Sequence, residues 1–370
     1  MRVAIWLQGG IGGGNFSQGY PPLMHFLNGL SARVNITVYS IFPPNDDFQE
    51  DKFKVESPGK SISNTKLRTA LLMALFIRDH FRERYDIAHG FWVYPAGTVA
   101  VLLGRVLQIS TIVTVQGGEA AAVREINYGN MLKPWLKKIT LNTCERATVV
   151  NSISKFLLSQ LALHGLKRTD GVVTPFGADV NRFTYYPRSI GTPLRLMHVA
   201  NLTEVKDQDT ILRSVRVLAG RIDVKLQIIG ADYLNGFLQR RCRELGIESF
   251  VEFVGSVPQS ELPSYYKHNH LMVHTSLHEG QSGVIMEAMS SGVVVCATPV
   301  GIVYDLGSDF FKVVRFRNSE ALAAAVLELV AHPEKYFDLQ QSCLEYARSH
   351  DAQWTQDEYY KMYQNLVALK

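Results

Sequence analysis

The chain has 370 residues, 46% of them hydrophobic and 19% charged, which is close to average and too long for one ordinary core, so two domains are expected. A formal net charge of +4 suits an anionic small ligand or weak attraction to an acidic membrane surface, and it argues against a nucleic-acid binder, which would carry a stripe of Lys and Arg. Four cysteines, Cys144, Cys242, Cys296 and Cys343, lie far apart with no CxxC pair, which disfavours disulfides and a zinc site and fits a reducing compartment.

The opening MRVAIWLQGG has one Arg and a very short apolar run, and reads as a first β-strand, not a signal peptide. No run of eighteen apolar residues occurs, so nothing is expected to span a bilayer. Strands are predicted at Val3–Leu7, Asn35–Tyr39, Ile87–His89, Thr111–Val115 and Thr148–Val150, with helices over 19–32, 66–84, 96–107, 130–143 and 152–163. This alternation implies a parallel sheet with helices on both faces. Tyr186–Pro193, YPRSIGTP, is rich in turn residues and reads as a linker. The pattern then restarts, with strands at 194–200, 224–229, 251–254, 271–274, 293–297 and 312–314. The helices between them fall near 207–220, 234–245, 259–267, 282–290 and 319–331. A last helix near 355–368 follows a segment of broken pattern and is expected to pack back on the first domain. The sum is α/β: two Rossmann-like doubly wound domains, 1–188 and 189–350, with a C-terminal helix in 351–370. Such sheets bind ligands at the carboxyl ends of their strands, so the chemistry is expected in a cleft between the two domains.

The first strand runs into 9-GGIGGGNFSQG-19. A dinucleotide fingerprint fails here, because Asn15 and Ser17 stand where GxGxxG needs glycine. The second strand ends in Tyr39-Ser40, with no acid for a ribose hydroxyl. A nicotinamide or flavin enzyme is disfavoured. What remains is that Gly12, Gly13 and Gly14 let the backbone approach a ligand, with an anion favoured at the helix start that follows; a flexible loop explains them equally well.

The densest signal is 274-HTSLHEGQSGVIMEAMSSGVVVCATPVG-301, where Glu279 and Glu287 stand eight residues apart. With a helix starting near Ser282, Glu279 lies in the strand-to-helix loop and Glu287 inside the helix; eight residues of helix would span roughly 12 Å. Between them the N–H groups around Gln281–Val284 point out of the helix start and form an anion site. Acid, anion cradle, acid matches the order of a nucleotide sugar: sugar hydroxyls, diphosphate, ribose hydroxyls. Charge-assisted bonds to carboxylates are the strong kind. The competing reading makes Glu279 a helix cap and Glu287 a solvated residue. Val284, Ile285, Ala288 and Met289 around Glu287 argue against it, since an acid there needs burial and a partner.

This segment resembles the EX7E segment of retaining GT-B glycosyltransferases, in particular family 4. Gln281 and Ser282 replace the usual F-G, Met286 the usual Leu and Val294 the usual Pro; ATPVGIVYDL resembles the G-G-x-x-E loop with Asp305 in the acid's place. The stretch 196-LMHVANLTEVKDQDTILRSV-215 resembles the first strand and loop of the family's second domain. Lys206 fits the family's lysine, and Asn201 stands where Arg is usual, so one full charge is missing. The stretch 111-TIVTVQGGEAAAV-123 resembles the acceptor-side loop. Gln116 takes the His position there, followed by Gly117, Gly118 and Glu119; glutamine can donate a hydrogen bond but cannot shuttle a proton. FVEFVGSV, ending at Val257, resembles the strand before the base-binding loop, and 174-TPFGADVNRF-183 resembles scaffold near the hinge. The DxD at Asp207-Gln208-Asp209 sits at a helix start, where acids complement the dipole, so no metal is expected.

The resemblance implies the GT-B fold and transfer from a nucleotide-sugar donor, a UDP- or GDP-sugar, with retention, neither metal nor cofactor being needed. The acceptor would be a glycan, a lipid-linked glycan or a small molecule, in cell-surface polysaccharide or glycolipid synthesis. Glu279 and Lys206 would be catalytic. Asn201, Val257, Gly280, Gln281, Ser282, Gly283, Val284 and Glu287 would bind the donor, with Gly12, Gly13 and Gly14 closing over the phosphate. Gln116 and Glu119 would lie near the sugar or acceptor. The expected location is cytoplasmic. The helix over 66–86 reads as a core helix or as a surface facing the inner side of the membrane, helped by Lys133, Lys137 and Lys138 beside Trp135. Two other functions stay open: a nucleotide-sugar epimerase or hydrolase on the same fold, and a non-catalytic binding protein.

Overall fold

In the computed structural model, which describes residues 1–12, 20–46 and 48–368, the apolar runs become the strands of two parallel sheets. The first holds β1 (Arg2–Leu7), β2 (Asn35–Ser40), β3 (Lys54–Glu56), β4 (Ile87–Phe91), β5 (Ser110–Val115), β6 (Val149–Ser152) and β7 (Val172–Val173), in the order β3-β2-β1-β4-β5-β6-β7. The second holds β8 (Leu194–Val199), β9 (Val224–Ile229), β10 (Val251–Gly255), β11 (Leu271–His274), β12 (Val294–Ala297) and β13 (Lys312–Val313), in the order β10-β9-β8-β11-β12-β13. Every strand pairing is parallel. With the first sheet go α1 (Pro21–Leu30), α2 (Thr65–Arg82), α3 (Thr98–Leu107), α4 (Pro134–Arg146) and α5 (Lys155–Leu163). The second carries α6 (Gln208–Ala219), α7 (Phe237–Leu245), α8 (Leu262–His268), α9 (Gly283–Ser290), α10 (Ile302–Leu306), α11 (Ser319–Ala331) and α12 (Pro333–Ser349), and α13 (Ala352–Ala368) ends the chain. This is the pair of Rossmann-like α/β sheets that the sequence predicts.

Strands buried on both faces need apolar residues at consecutive positions, each alternate set serving its own core. In the second sheet Leu271, Val273, Val294 and Cys296 pack into one core, whereas Met272, Val295 and Ala297 pack into the other. The sequence did not show β3, β7 or α12. The two strands have three and two residues, too short for a period. In α12 the buried stripe includes Tyr336 and Gln340, and these blur its helical repeat. All four cysteines are free and buried. Among the described residues, no helix is long and apolar enough to cross a membrane.

The chain forms two compact units. One is Met1–Ala122 with Gly129–Phe176 and Ala352–Lys370; the other is Val123–Tyr128 with Gly177–Asp351. The division after Phe176 differs from the expected boundary at 188, and contacts explain it. Phe183 is buried in the core of the second unit, and the Arg188 guanidinium donates to the carbonyls of Tyr266 (2.6 Å), Asn269 (2.8 Å) and Ser291 (2.7 Å). The turn-rich stretch at 186–193 is therefore tied down at Arg188. In the first unit α13 covers a buried polar seam. Asn151 Nδ2 donates to Tyr359 Oη (2.7 Å), and His89 Nδ1 and Nε2 meet Tyr363 Oη and Thr114 Oγ1, each at 2.7 Å. Burial pushes the His89 imidazole down to about 3.

Candidate active site

In the second sheet β8 and β11 are neighbours at the point where strand order reverses, the place where doubly wound sheets bind ligands. The loops that leave their carboxyl ends are stitched together. Leu277 N–H donates to Val205 O (2.8 Å), and Thr275 Oγ1 donates to Lys206 O (3.1 Å) and Asp207 O (2.8 Å). This places Lys206, at the end of the 3-10 turn Glu204–Lys206, beside Glu279, with Nζ 2.6 Å from Oε1. The same oxygen accepts from His274 Nε2 (2.9 Å) and Ser276 Oγ (2.6 Å). Burial alone would raise the Glu279 carboxyl, but the Lys206 charge and the hydrogen bonds from His274 and Lys206 outweigh it and hold the group well below its ordinary range.

Ser282 precedes α9 with φ 78°, a left-handed conformation, and makes no capping hydrogen bond. A Cβ built on Gly283 would meet nothing within 4 Å, so the space at the helix start is open. Gly301 has φ 55°, and a Cβ there would fall 2.5 Å from Gln281 O; Ile302 N–H donates to that same carbonyl at 3.0 Å. Any side chain at 301 would push the Gln281 loop out of place. The helix covers only Gly283–Ser290, so the expected 12 Å of continuous helical rise between the two glutamates does not hold: the left-handed turn at Ser282 breaks it. Ser282→Gly should stabilise the second unit by about 1 kcal/mol, because the left-handed penalty of a side chain disappears. Thermal unfolding of the two proteins checks this, and an unchanged or lower midpoint contradicts it.

Glu287 lies one turn into α9 and is 7% exposed. Tyr266 Oη donates to Oε2 (2.9 Å) and Gln259 Nε2 to Oε1 (3.1 Å), while Gln259 Oε1 accepts from Arg182 (2.9 Å). Burial raises the Glu287 carboxyl to about 7, against the pull of these bonds and of the Arg182 charge. Val257, in the same loop as Gln259, packs against the core around Ile285 and Met289. Asn201 accepts from Ala231 N–H through Oδ1 (3.2 Å), and its carbonyl accepts from Gln208 Nε2 (3.2 Å). The two acids of the DxD serve the start of α6. Asp207 Oδ2 accepts from Thr210 Oγ1 (2.7 Å), and Asp209 is held by Arg213 (2.7 Å) and Arg241 (2.6 Å).

The remaining candidates lie in the first unit. Glu119 is buried, accepts from Gln116 N–H (2.8 Å), and is raised by burial against the backbone donors of its own loop and of Val93. Gln116 Nε2 is buried with no partner among the described residues. Gly12 has φ 72°, and a Cβ there would run into Phe48. Its glycine requirement is thus met within the first unit. Gly13 and Gly14 lie outside the described residues. The structure therefore gathers Lys206, Glu279, Gly280, Gln281, Ser282, Gly283, Val284 and Glu287 in the second unit, in the loop after β8 and the segment from β11 into α9. Sequence reasoning missed His274, Ser276, Gln259 and Tyr266. The only local signal was a polar His-Thr-Ser run at the carboxyl end of an apolar strand.

A family model described as Glycosyl transferases group 1 matches residues 187–350, and one described as Glycosyltransferase Family 4 matches residues 23–182. The chain is 26% identical over 279 residues to the D-inositol 3-phosphate glycosyltransferase of Corynebacterium urealyticum. That match covers 67% of this chain and 64% of the relative, so less than two thirds of the relative is spanned. Sucrose-phosphate synthase from Thermosynechococcus elongatus superposes with a TM-score of 0.80 at 17% identity, covering 100% of this chain and 99% of that one. Anabaena HepE in complex with UDP gives 0.78 at 16% identity, covering 99% and 100%. At such identities the structural likeness speaks for the fold alone. The family rests on the two models, which in tandem span each half of a chain whose two parallel-sheet units carry that same fold: this protein belongs to the group 1 glycosyltransferases of the GT-B fold.

Proposed function

We propose that the protein is a retaining, metal-independent transferase that moves a sugar from a UDP- or GDP-sugar to a glycan, lipid-linked or small-molecule acceptor in cell-surface polysaccharide or glycolipid synthesis. The observation that carries this is the Lys206–Glu279 pair beside the uncapped start of α9, with Glu287 buried farther along the same helix. Lys206 Nζ and the first amides of α9 would take the diphosphate, Glu279 would accept from sugar hydroxyls, and Glu287 from the ribose. With Asn201 in place of an arginine, the diphosphate leans on Lys206 and the helix start. The acceptor oxygen attacks the anomeric carbon on the face the diphosphate leaves. The carbon–oxygen bond to the diphosphate breaks, and a diphosphate oxygen takes the acceptor's proton. No protein base is required, which suits Gln116. The UDP held by Anabaena HepE supports a uridine donor. Asp209 is already neutralised by Arg213 and Arg241, which supports reading the DxD as part of a helix start and not as a metal ligand pair.

A panel of UDP-, GDP- and ADP-sugars, assayed in EDTA, tests the proposal. Binding with slow release of free sugar supports a transferase lacking its acceptor. Rearranged nucleotide sugar means an epimerase, binding without turnover under any acceptor means a binding protein, and no binding at all overturns the donor assignment. A pH dependence also follows. Glu287 must be ionised to accept two ribose hydroxyls, and its carboxyl sits at about 7. Affinity for the intact nucleotide sugar should therefore weaken as pH falls through 7, by up to about tenfold per unit below it. Calorimetry from acid to neutral pH should show this slope in the wild type and none in Glu287→Gln; identical slopes would remove Glu287 from the site.

The expected contact with the inner face of a membrane draws support from α2, α3 and α4. Leu72 and Phe76 of α2 are core, but Leu67, Leu71 and Phe81 are exposed, as are Leu102 and Val106 of α3 and Trp135 of α4. Lys66, Arg78, Arg82, Arg105 and Lys138 are exposed on the same three helices. Exposed apolar residues among cations suit an anionic lipid surface. Vesicles of phosphatidylcholine with phosphatidylglycerol should sediment the protein and vesicles of phosphatidylcholine alone should not; equal behaviour in both contradicts the contact.

A further inference from the structure

Two roles at this site compete for the same side chains. Lys206 is proposed to hold the diphosphate and Glu279 to hold the sugar, yet here the two hold each other at 2.6 Å. A diphosphate carries more negative charge than one carboxylate and outbids it for the lysine. Glu279 is then left as a buried acid, 9% exposed, next to a polyanion. Burial and a neighbouring negative charge both favour taking up a proton. A protonated carboxyl would donate where it has to accept, and its grip on the sugar hydroxyls would be lost.

We propose that His274 and Ser276 keep Glu279 ionised and correctly aimed once Lys206 has turned to the donor diphosphate. They are positioning residues of the transfer, and the inference rests on the donor reading given above. Both already donate to Oε1, from 2.9 and 2.6 Å, and both side chains are fully buried. Two hydrogen bonds to the charged form are what hold a carboxyl down when its counter-ion is gone. The geometry is fixed from behind. Thr298 N–H donates to His274 O (3.0 Å), and Thr298 Oγ1 donates to Ser276 O (2.6 Å), so the end of β12 holds the segment that carries both donors. Among the described residues His274 Nδ1 is buried without a partner, and Nε2 is the ring nitrogen that meets Glu279 Oε1. The ring of His198, 5.6 Å away, does not compete: its Nδ1 is bonded to Val273 O (2.9 Å) and its Nε2 to the Gln208 amide (3.4 Å). A histidine at the end of a buried apolar strand with one idle nitrogen is costly to keep as packing alone, and the carboxylate gives it a use.

Lys206→Ala reproduces the departure of the lysine with no ligand present. The titration of Glu279 is read by carbon NMR on glutamate-labelled full-length protein and assigned by its loss in Glu279→Gln. In Lys206→Ala the carboxyl should still be ionised at neutral pH. Adding His274→Leu should move its midpoint up by about one to two pH units. His274→Gln places an amide Nε2 where the ring nitrogen was and should move it back, and Ser276→Ala should shift it in the same direction as leucine at 274. The proposal is overturned where Lys206→Ala alone protonates Glu279 at neutral pH, or where adding His274→Leu changes nothing. This arm needs no nucleotide, so its outcome is separate from that of the donor panel. In turnover, His274→Leu alone should move the acid limb of kcat to higher pH by about one unit and leave the donor KM within about threefold, with His274→Gln restoring the profile. A profile that coincides with the wild type, in a His274→Leu protein that still binds UDP or GDP, overturns it equally.

Discussion

Glu279→Ala is expected to lower transfer by roughly 10²–10³-fold, the range seen when one preorganised polar contact to a reacting centre is removed. The substitution deletes the carboxylate on which Lys206, His274 and Ser276 converge. It removes no hydrophobic side chain, and Glu279 lies in the loop between β11 and α9 and not within either element. Lys206 loses its partner but keeps 22% of its side chain in water, so it can solvate its charge, and the fold should survive. Glu279→Gln sharpens the test. It retains the shape and loses the charge, and should fall nearly as far in kcat. Turnover assays with circular dichroism on both variants decide the matter; wild-type rates in either one remove Glu279 from the reaction.

Lys206→Ala should weaken binding of the bare nucleoside diphosphate by roughly 10- to 100-fold, the value of one charge-assisted bond of about 1.5–3 kcal/mol. Asn201 makes the effect large: its side-chain oxygen is already bonded to Ala231, and it adds no positive charge to share the diphosphate. Unchanged affinity for UDP and GDP by calorimetry would end the phosphate assignment. The same variant has a stability signature. In the wild type the folded Glu279 carboxyl lies below its ordinary value of 4.5, so its contribution is present above that pH and is lost as pH falls towards the folded value. Removing Lys206 shrinks that contribution, and the acid-induced loss of stability should be smaller than in the wild type.

The sheets were legible because a doubly buried strand carries its signal in a run of neighbours: VAIWL in β1 and LMV in β11 are apolar at every position, so no alternation is needed. Glu279 and Glu287 were legible because each sits within a few residues of a helix start, which spacing reports directly; Lys206 was legible only because its stretch resembles the first strand and loop of the family's second domain. The donors that set their charge were not. Tyr266 belongs to α8 and Gln259 to the loop before it, and nothing in the spacing tells which carboxylate they will meet. His274 reads as a core residue at the end of LMVH until the loop after it folds Glu279 back onto the ring. The boundary after Phe176 was hidden for a related reason: residues 177–187 have little regular structure, and only contacts assign them.

The placement of α13 bears on the order of events at the ribosome. The seam of His89, Thr114 and Asn151 is made early, but Tyr359 and Tyr363, which close it, emerge only after all of Gly177–Asp351 has been synthesised. The nascent first unit must stay hydrated along that seam while the second, largely one uninterrupted stretch of chain, is free to settle ahead of it. Closing the first unit then waits for α13, against the usual amino-terminal-first order of domain folding.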